Sequence, residues 1–528
     1  MPKLTPSRRW LLGAAALGVP TILAGWKAHR LAEAPDAAKD CGPTVEGAAS
    51  PLPPGGAGES LPWSARGGTV NDVSCLSRTP VAGVVRPARD ADIAAAIAFA
   101  RSNGLTLSMA GARHSMGGHA FAKSGLVLDM TGFNTIALNA GSRTVTVQSG
   151  ATWHAIQNAI HPLFAVKAMQ SSDVFTVGGS ISVNAHGMDH RAGAIERTIR
   201  SMRLMLAGGE TVTLSRTQNV DLYRLVVGGY GMFGVILDVE LEVSENRLYR
   251  SQRRLIDYRD FPQLFAAEIE PDPSIGLFYG HLSTAPGDGF LREALIYSYR
   301  DAGPADAGLP PLGEVSSVAL RRLIFNLAKE GPFFARMKWY AEKRLEPLAE
   351  SCTISRADAQ ASGEPLCLVS RNEPMHDSVP YLFNALHGET DILHEYFLPR
   401  DRLSAFIDDM RVLMEREGTN LLNASIRVVH REDIALNYAP QDAFSLVLYV
   451  NQTTDAPGTA KMKRLTSALI DLADRHGGRF FLPYQLHYDA GQLKRAYPEI
   501  GAVFAAKRKY DPDGLFSNRF YETFAGQI

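Results

Sequence analysis

Three glycine-rich segments within residues 110–234 constrain the fold more than any other feature of this 528-residue chain. They cover residues 110–119, 176–187 and 228–234, and short apolar runs that predict strands lie between them. Glycine lets the backbone approach a ligand or another segment closely, so main-chain amides can bind a large polar group. The sequence therefore predicts a ligand-binding domain built around three loops.

The third cluster matches a well-known fingerprint in the wrong context. Residues 229–234 read G-Y-G-M-F-G and fit the dinucleotide pattern G-x-G-x-x-G. That pattern needs a strand before the glycines and a helix after them, so that the helix N-terminus faces a pyrophosphate. Here a helical stretch at 221–227 precedes the glycines and an alternating strand at 235–243 follows them. The order argues against a Rossmann fold.

Composition and periodicity divide the chain into five segments. The strands and helices up to about residue 245 are short, whereas later strands are separated by long helical stretches, notably 316–344 and 402–416. This pattern predicts an α+β protein whose second domain contains an antiparallel sheet. The boundaries we infer are 1–34 for a targeting segment, 35–66 for a linker rich in Pro, Gly, Ala and Ser, 67–245 for the three-loop domain, 246–480 for the second domain and 481–528 for a C-terminal segment.

The N-terminus predicts export. Residues 7–12 read S-R-R-W-L-L, and the apolar run lasts to Trp26. The twin arginines resemble the signal of proteins exported already folded around a cofactor. We therefore expect a periplasmic protein or one tethered to the membrane and facing the periplasm. Whether the segment is cleaved or serves as the tether stays open.

Charge and cysteine content restrict the partners. The chain has 54 Lys and Arg against 55 Asp and Glu. It therefore lacks the excess of basic residues that is typical of nucleic-acid-binding proteins. No two of its four cysteines have the spacing of metal ligands, so we expect no metal site. An oxidising compartment allows the pairs Cys352–Cys367 and Cys41–Cys75 to form disulfides.

The three loops together resemble one protein family. Residues 111–115 read G-A-R-H-S and resemble the G-x-x-H-S loop of sugar, alditol and aldonolactone oxidases and of cytokinin dehydrogenases. T-V-G-G at 176–179 with N-A-H-G at 184–187 resembles their second phosphate loop, and G-M-F-G-V-I at 231–236 resembles the element beside the adenine. On these motifs the chain is identified as a member of the vanillyl-alcohol-oxidase, or PCMH-type, FAD-binding oxidoreductases.

This resemblance implies a PCMH-type FAD-binding domain of two subdomains and an α+β cap domain that binds substrate on an antiparallel sheet. It also implies that the C-terminal segment returns to the flavin. The cofactor is expected to contact the three loops and the C-terminal return, at Gly111, Ala112, Arg113, His114, Ser115, Met116, Thr176, Gly178, Gly179, Ser182, Asn184, His186, Gly234, Ile236 and Asn518.

The histidine of the first loop is expected to bind the flavin covalently. In the family, the residue at the position of His114 attacks the flavin 8α-methyl group, which requires a neutral imidazole. The alternative is a histidine that only hydrogen-bonds a phosphate or packs. His119 lies nearby, and we interpret it as part of the loop structure.

Two predicted cap strands supply candidate substrate contacts. E-Y-F-L-P at 395–399 resembles a cap strand of lactone oxidases and decaprenylphosphoryl-ribose oxidases, and alternation puts His394 and Tyr396 on one face and Glu395 on the other. S-I-R at 425–427 resembles an alditol-oxidase strand in which Glu and Arg bind substrate hydroxyls. Arg427 matches, but Ser425 replaces the Glu, which argues against an alditol.

Three further residues complete the candidate catalytic set with Arg427 and Tyr396. Residues 482–488 stand where alditol and aldonolactone oxidases carry H-W-G-K, and they lack its Lys. We therefore expect His487, with Gln485, beside flavin N1. Asp173 lies near the place of the cytokinin-dehydrogenase catalytic Asp and is a candidate base. The structural alternatives are a helix cap for Asp173, core packing for the aromatic residues and an ion pair for Arg427.

The function these features imply is oxidation of a CH–OH donor, a sugar, polyol or lactone, by hydride transfer to the flavin. O₂, a quinone or a cytochrome then accepts the electrons. Two alternatives remain: cytokinin-dehydrogenase-like C–N oxidation of an amine, and a flavin- or sugar-binding periplasmic module without turnover.

Overall fold

A computed structural model describes residues 29, 31, 44–45, 60–306, 308–314, 318–344, 368–376 and 388–528. The twin arginines, nearly all of the targeting segment, and Cys41, Cys352 and Cys367 lie outside these residues. Cys75 is disulfide-bonded. Within the described part of the chain, no helix has the length and apolar character needed to cross a membrane.

The strands of the described residues belong to four sheets. In chain order they are β1 (Thr44–Val45), β2 (Trp63–Arg66), β3 (Thr69–Val70), β4 (Thr79–Pro80), β5 (Gly83–Val85), β6 (Leu107–Ala110), β7 (Leu126–Asp129), β8 (Ile136–Asn139), β9 (Thr144–Gln148), β10 (Phe164–Val166), β11 (Ile199–Met205), β12 (Thr211–Leu214), β13 (Val235–Glu245), β14 (Arg247–Asp257), β15 (Ile275–Leu282), β16 (Glu293–Pro304), β17 (Leu368–Ser370), β18 (Glu389–Pro399), β19 (Asn420–Val429), β20 (Ala443–Thr453) and β21 (Arg479–Phe480).

The α-helices of the same residues are mostly short in the N-terminal half and longer in the C-terminal half. They are α1 (Asp90–Ser102), α2 (Trp153–Ile160), α3 (Val177–Ser182), α4 (Val220–Val226), α5 (Phe261–Leu264), α6 (Val318–Lys329), α7 (Pro332–Arg344), α8 (Leu403–Arg416), α9 (Ala456–Arg475), α10 (Ala490–Ala496), α11 (Ile500–Tyr510) and α12 (Arg519–Phe524).

The first sheet has the order β2-β5-β7-β6, with β5 and β6 parallel to β7. Helix α1 buries Ile93, Ile97 and Ala100, the apolar face that its sequence predicts. Strand β2 pairs with β5, although it lies inside the segment 35–66 that composition predicts as a linker. The linker prediction is therefore wrong for β2, because a four-residue strand is too short to change local composition.

The second sheet has the order β12-β11-β13-β9-β8, with β10 also paired to β13, and all of these pairs are antiparallel. Helix α4 precedes the third glycine cluster and strand β13 follows it directly. This order confirms that the G-x-G-x-x-G match is not a Rossmann fingerprint.

An eight-stranded antiparallel sheet forms the second half of the chain, in the order β17-β14-β16-β15-β19-β20-β18-β21. Its strands come from residues 247–480, within the predicted second domain. The predicted helical stretch at 316–344 consists of α6 and α7, which are separated at Gly331. Gly331 has a φ of 139°, which disfavours a continuous helix.

The C-terminal segment packs back on the first sheet. The amide of Leu107 in β6 donates to the carbonyl of Leu515 at 2.7 Å, and the amide of Ser517 donates to the carbonyl of Leu107 at 3.1 Å. Asn518 Nδ2 donates to the carbonyl of Tyr230 in the third glycine cluster at 2.8 Å. The end of the chain therefore lies beside the loops.

Candidate functional site

A cavity of about 490 Å³ lies between the three glycine-rich loops and the eight-stranded sheet. This volume is in the range of sites for small molecules and cofactors. The loops, the C-terminal return and four strands of the large sheet all contribute side chains to its wall.

The first two loops approach each other so closely that glycine is required. A Cβ atom on Gly111 would lie 1.9 Å from Thr176 Oγ1, and one on Gly178 would lie 2.7 Å from Ser149 Cβ. Both distances are shorter than any van der Waals contact. The absence of side chains at these two positions keeps the backbone of both loops against the cavity.

Several serine hydroxyls border the cavity without a hydrogen-bond partner among the described residues. They are those of Ser108, Ser115, Ser149, Ser171 and Ser172. Buried hydroxyls without partners are costly, so their position indicates that the cavity takes a polar ligand. Together with the glycine cradle, they fit the phosphate and sugar groups of a dinucleotide such as FAD.

His114 projects into the cavity from the first loop. Its ring packs edge-on against Phe175, with ring centroids 4.9 Å apart and an interplanar angle of 78°. Burial lowers the pKa of His114 to about 4, so its imidazole is neutral near pH 7. A neutral imidazole has the lone pair that nucleophilic attack on a bound cofactor requires.

The large sheet supplies the opposite wall through alternate residues of its strands. Because successive side chains of a strand point to opposite faces, residues two apart reach the same side. The side chains that border the cavity are Tyr279 and His281 of β15, Leu393 and Glu395 of β18, Asn423, Ser425 and Arg427 of β19, and Val447 and Tyr449 of β20.

A polar network joins the second loop to this wall. His186 Nε2 lies 2.5 Å from Glu395 Oε1, and Ser445 Oγ donates to the same oxygen. Burial opposes ionisation of Glu395, but His186, Ser445 and Arg427 together lower its pKa below the usual value. Tyr484 OH donates to Glu395 Oε2 at 3.4 Å. Glu395 is therefore an ionised, buried carboxylate at the edge of the cavity.

Arg427 faces the same space with unused hydrogen-bonding capacity. Its Nε has no hydrogen-bond partner among the described residues. Burial lowers the pKa of Arg427, and the charge of Glu395 opposes that shift. The cavity thus places a guanidinium donor, a carboxylate and the phenol of Tyr484 on the wall opposite the loops.

Comparison with known proteins agrees with this arrangement. Residues 81–215 match a family model described as an FAD binding domain. The chain is 34% identical over 139 residues to the decaprenylphosphoryl-β-D-ribose oxidase of Mycolicibacterium smegmatis, which is 25% of this chain and 30% of that protein. It is 30% identical over 174 residues to cytokinin dehydrogenase 9 of Oryza sativa subsp. japonica, which is 31% and 33% of the two chains.

Residues 81–215 contain the first two loops. They are an FAD-binding domain of the PCMH-type oxidoreductases. An uncharacterized oxidoreductase of the fasciation locus of Rhodococcoides fascians is 29% identical over 178 residues, 32% of this chain and 39% of that protein. The chain thus spans about a third of the length of the curated relatives it matches.

Most of the residues predicted from the family's cofactor motifs border the cavity. These are Gly111, Ala112, Arg113, His114, Ser115, Thr176, Gly178, Gly179, Ser182, His186, Gly234, Ile236 and Asn518. Met116 and Asn184 do not. Met116 packs against Phe325, Leu422 and Tyr449, and Asn184 Oδ1 accepts a hydrogen bond from the Glu196 amide. Both have left-handed backbone, with φ of 59° and 50°.

Of the five predicted catalytic residues, only Arg427 borders the cavity. Alternation along β18 is as predicted, but Glu395 is the residue on the cavity face. Tyr396 lies on the other face, where its ring packs near Phe406 at 5.8 Å. Periodicity separates the two faces of a strand without indicating which one faces the ligand, and the predicted catalytic role of Tyr396 does not fit its position away from the cavity.

Gln485 and His487 are also placed away from the cavity. Phe481, Pro483 and Tyr484 border it, whereas Gln485 lines a second, small pocket together with His394 and Tyr396. Burial and the nearby Lys463 lower the pKa of His487 to about 4. The segment after β21 has no regular period, so the sequence could not show which of its side chains turn inward.

Asp173 points away from the cavity, although its neighbours Ser172 and Phe175 border it. Its carboxylate is fully buried and contacts His154 Nδ1 at 2.7 Å and His376 Nδ1 at 3.2 Å. It does not border the cavity, where the prediction places it as a base, and it is not a helix N-cap, since the N-cap residues of α2 and α3 are Thr152 and Thr176.

Sequence reasoning missed several residues of the wall, among them Tyr279, His281 and Asn423. Burial lowers the pKa of His281 to about 3, with a further contribution from Lys338 and Arg427, so this histidine is neutral. The period-two pattern through Asn423, Ser425 and Arg427 could have identified Asn423. Tyr279 and His281 could not be identified from the sequence, because β15 resembles neither of the family's cap strands, which match residues 395–399 and 425–427. His119, interpreted as loop structure, also borders the cavity.

Proposed function

We propose that this protein is an FAD-dependent oxidoreductase that oxidises a CH–OH donor, a sugar, polyol or lactone. The observation that carries the proposal is the cavity wall opposite the loops. There Tyr484 donates a hydrogen bond to the Glu395 carboxylate, and the Arg427 guanidinium interacts electrostatically with both groups. A guanidinium fork suits paired hydroxyl or carbonyl oxygens, and a carboxylate next to a phenol can take up a proton.

The cofactor half of the proposal rests on the loops. We propose that the first and second sheets are the two subdomains of the PCMH-type domain, and that the cap is the large sheet with its helices. The glycine residues of the first two loops would hold FAD, and His114, whose imidazole is neutral, would form the covalent bond to it. When bound, the flavin accepts a hydride from the donor carbon and passes the electrons to O₂, a quinone or a cytochrome.

The residues of this chain bind the donor and move one proton. Arg427 binds the donor hydroxyls and orients the reacting carbon toward the loops. Burial, and then Glu395, raise the pKa of Tyr484 well above its usual value, so Tyr484 is a neutral phenol that can donate to Glu395. The donor hydroxyl gives its proton to Tyr484 as Tyr484 gives its own to Glu395. His186 and Ser445 keep Glu395 in position.

A second candidate is oxidation of a C–N bond, as the similarity to cytokinin dehydrogenases suggests. The Arg427 guanidinium disfavours a protonated amine in the same space, because like charges repel strongly away from bulk water. A binding module without turnover is the third candidate, and the polar network at Glu395 has no obvious use in it.

A substrate screen with full-length, flavin-loaded protein tests the proposal. Sugars, polyols, lactones and cytokinin-like amines are supplied one at a time, with peroxide detection under oxygen and an artificial acceptor in a parallel anaerobic series. We expect turnover with a CH–OH donor and none with the amines. Turnover confined to amines would favour C–N oxidation. If the protein reduces no acceptor with any donor, the remaining candidate is a binding module without turnover.

A further inference from the structure

Two histidines and a glutamate from distant parts of the chain meet beside the cavity. His154 lies in the first turn of α2, Glu314 lies in the segment 308–314, and His376 follows the short helical turn Glu373–Met375. Their ligand atoms all lie within 4.8 Å of one another. None of the three borders the cavity, so the cluster is not part of the site described above.

Asp173 orients both histidines. Its Oδ2 lies 2.7 Å from His154 Nδ1 and 3.2 Å from His376 Nδ1, and Gln157 Oε1 lies 3.1 Å from His376 Nδ1. These oxygens are acceptors, so each Nδ1 carries the proton and each Nε2 keeps its lone pair. A carboxylate behind a histidine in this way is the usual second partner of a metal-binding imidazole.

The other side of the two rings is open toward Glu314. The imidazoles stack with centroids 4.4 Å apart and planes 20° apart, so both Nε2 atoms point away from Asp173. His376 is 4% exposed, and its Nε2 has no hydrogen-bond partner among the described residues. His154 Nε2 lies 3.5 Å from Glu314 Oε1. The buried lone pair of His376 Nε2 thus lies beside a second imidazole and near a carboxylate, and this arrangement fits a cation bound by all three groups.

We propose that His154 Nε2, His376 Nε2 and Glu314 bind a divalent transition-metal ion such as Zn²⁺. Two imidazoles and one carboxylate are a known zinc ligand set, with a fourth position for water. Ligands about 2.0–2.1 Å from a tetrahedral ion lie roughly 3.4 Å apart. The distance of 3.5 Å between His154 Nε2 and Glu314 Oε1 is close to this spacing. The side chain of Glu314 is 76% exposed, so it can adjust further.

The ion links three separate segments. It joins α2 of the FAD-binding half to residues 308–314 and 368–376, which precede and follow the described helices α6 and α7. Asp173 is then a positioning residue, and its neighbour Ser172 lies in the cavity wall. The expectation of no metal rests on cysteine spacing, which carries no information about histidine and carboxylate ligands.

Zinc binding by the purified full-length protein, without an affinity tag, tests this site. After treatment with EDTA and dialysis, Zn²⁺ is added and bound zinc per chain is measured by equilibrium dialysis, with the melting temperature as a second readout. We expect one tight Zn²⁺ per chain in the wild type. Glu314→Gln and His376→Ala lose at least tenfold in affinity, and Asp173→Asn loses about 10- to 100-fold.

His476→Ala is the matched control, because His476 also pairs with a carboxylate, Asp409, but belongs to no such cluster. It is expected to bind Zn²⁺ like the wild type. The Glu314→Gln change is at an exposed side chain and is not expected to affect folding. A wild type that binds no Zn²⁺, or Glu314→Gln and His376→Ala variants that bind it as tightly as the wild type, would overturn the proposal.

Discussion

The covalent attachment of the flavin that we propose depends on one residue, His114. Because its imidazole is buried and neutral, we expect the flavin to remain with the protein after acid denaturation. Trypsin releases residues 114–123 as one peptide, which contains both His114 and His119. Fragmentation in the mass spectrometer is expected to place the flavin on His114, and His114→Ala leaves only dissociable flavin. Complete release of FAD into the acid supernatant would contradict the bond.

The binding role of Arg427 is also a matter of one side chain. Arg427→Ala removes charge-assisted hydrogen bonds worth about 1.5–3 kcal/mol, which predicts a KM raised roughly 10- to 100-fold with a smaller effect on kcat. Flavin content should stay unchanged, since Arg427 lies on the cap sheet.

Steady-state kinetics per bound flavin check this prediction, with Arg464→Ala, an exposed arginine of α9, as the control. Loss of flavin in Arg427→Ala, with normal kinetics in the remaining holoenzyme, would show that Arg427 is structural.

At the scale of elements, the contact between the first two loops is the feature most sensitive to a single methyl group. Gly111→Ala brings a Cβ to 1.9 Å from Thr176 Oγ1, so one loop has to move away from the other. We expect a several-fold drop in bound FAD per chain in the purified variant. Gly501→Ala, whose Cβ meets nothing nearer than 3.8 Å, should retain full flavin content. Equal flavin content in both variants would show that the close contact between Gly111 and Thr176 is not needed for FAD binding.

Many elements could be predicted because their signals are local. The sequence predicts strands at 126–129 and 211–214 and a helix near 153–160, and the structure has β7 (Leu126–Asp129), β12 (Thr211–Leu214) and α2 (Trp153–Ile160) there. The pattern of residues 491–509 predicts a single helix, whereas the structure has α10 and α11, which are separated around Pro498. Proline disfavours the helical conformation at the residue before it, and the apolar period on both sides concealed the interruption.

The two halves of the site differ in how far the sequence reveals them. The cofactor half consists of loops whose close approach requires glycine and whose proposed bond to the flavin requires histidine. Short sequence motifs that contain these residues therefore identify it. The substrate half is built from alternate residues of four strands, and each strand could present either face. Glu395 and Tyr396 are adjacent, and only the packing of the whole sheet decides that Glu395 reaches the cavity.

At the scale of the whole molecule, we propose that the protein is exported through its N-terminal segment. Replacing Arg8 and Arg9 by Lys removes the twin-arginine signal, so the variant is expected to stay in the cytoplasm, folded and with flavin. Fractionation with detection of flavin and of the protein checks the outcome. Replacing Lys3 by Arg is the control and should leave export unchanged. Delivery of the double variant to the periplasm at the wild-type level would contradict this route.

The central claim is that the cavity between the loops and the large sheet brings flavin and a CH–OH donor together. Anaerobic mixing of the flavin-loaded wild type with the best donor of the screen, followed by the absorbance of oxidised flavin, tests it most directly. We predict that the absorbance disappears on mixing, and more slowly when the donor carbon carries deuterium. A purified protein that takes up no FAD, or oxidised flavin that persists with every donor, would contradict the account.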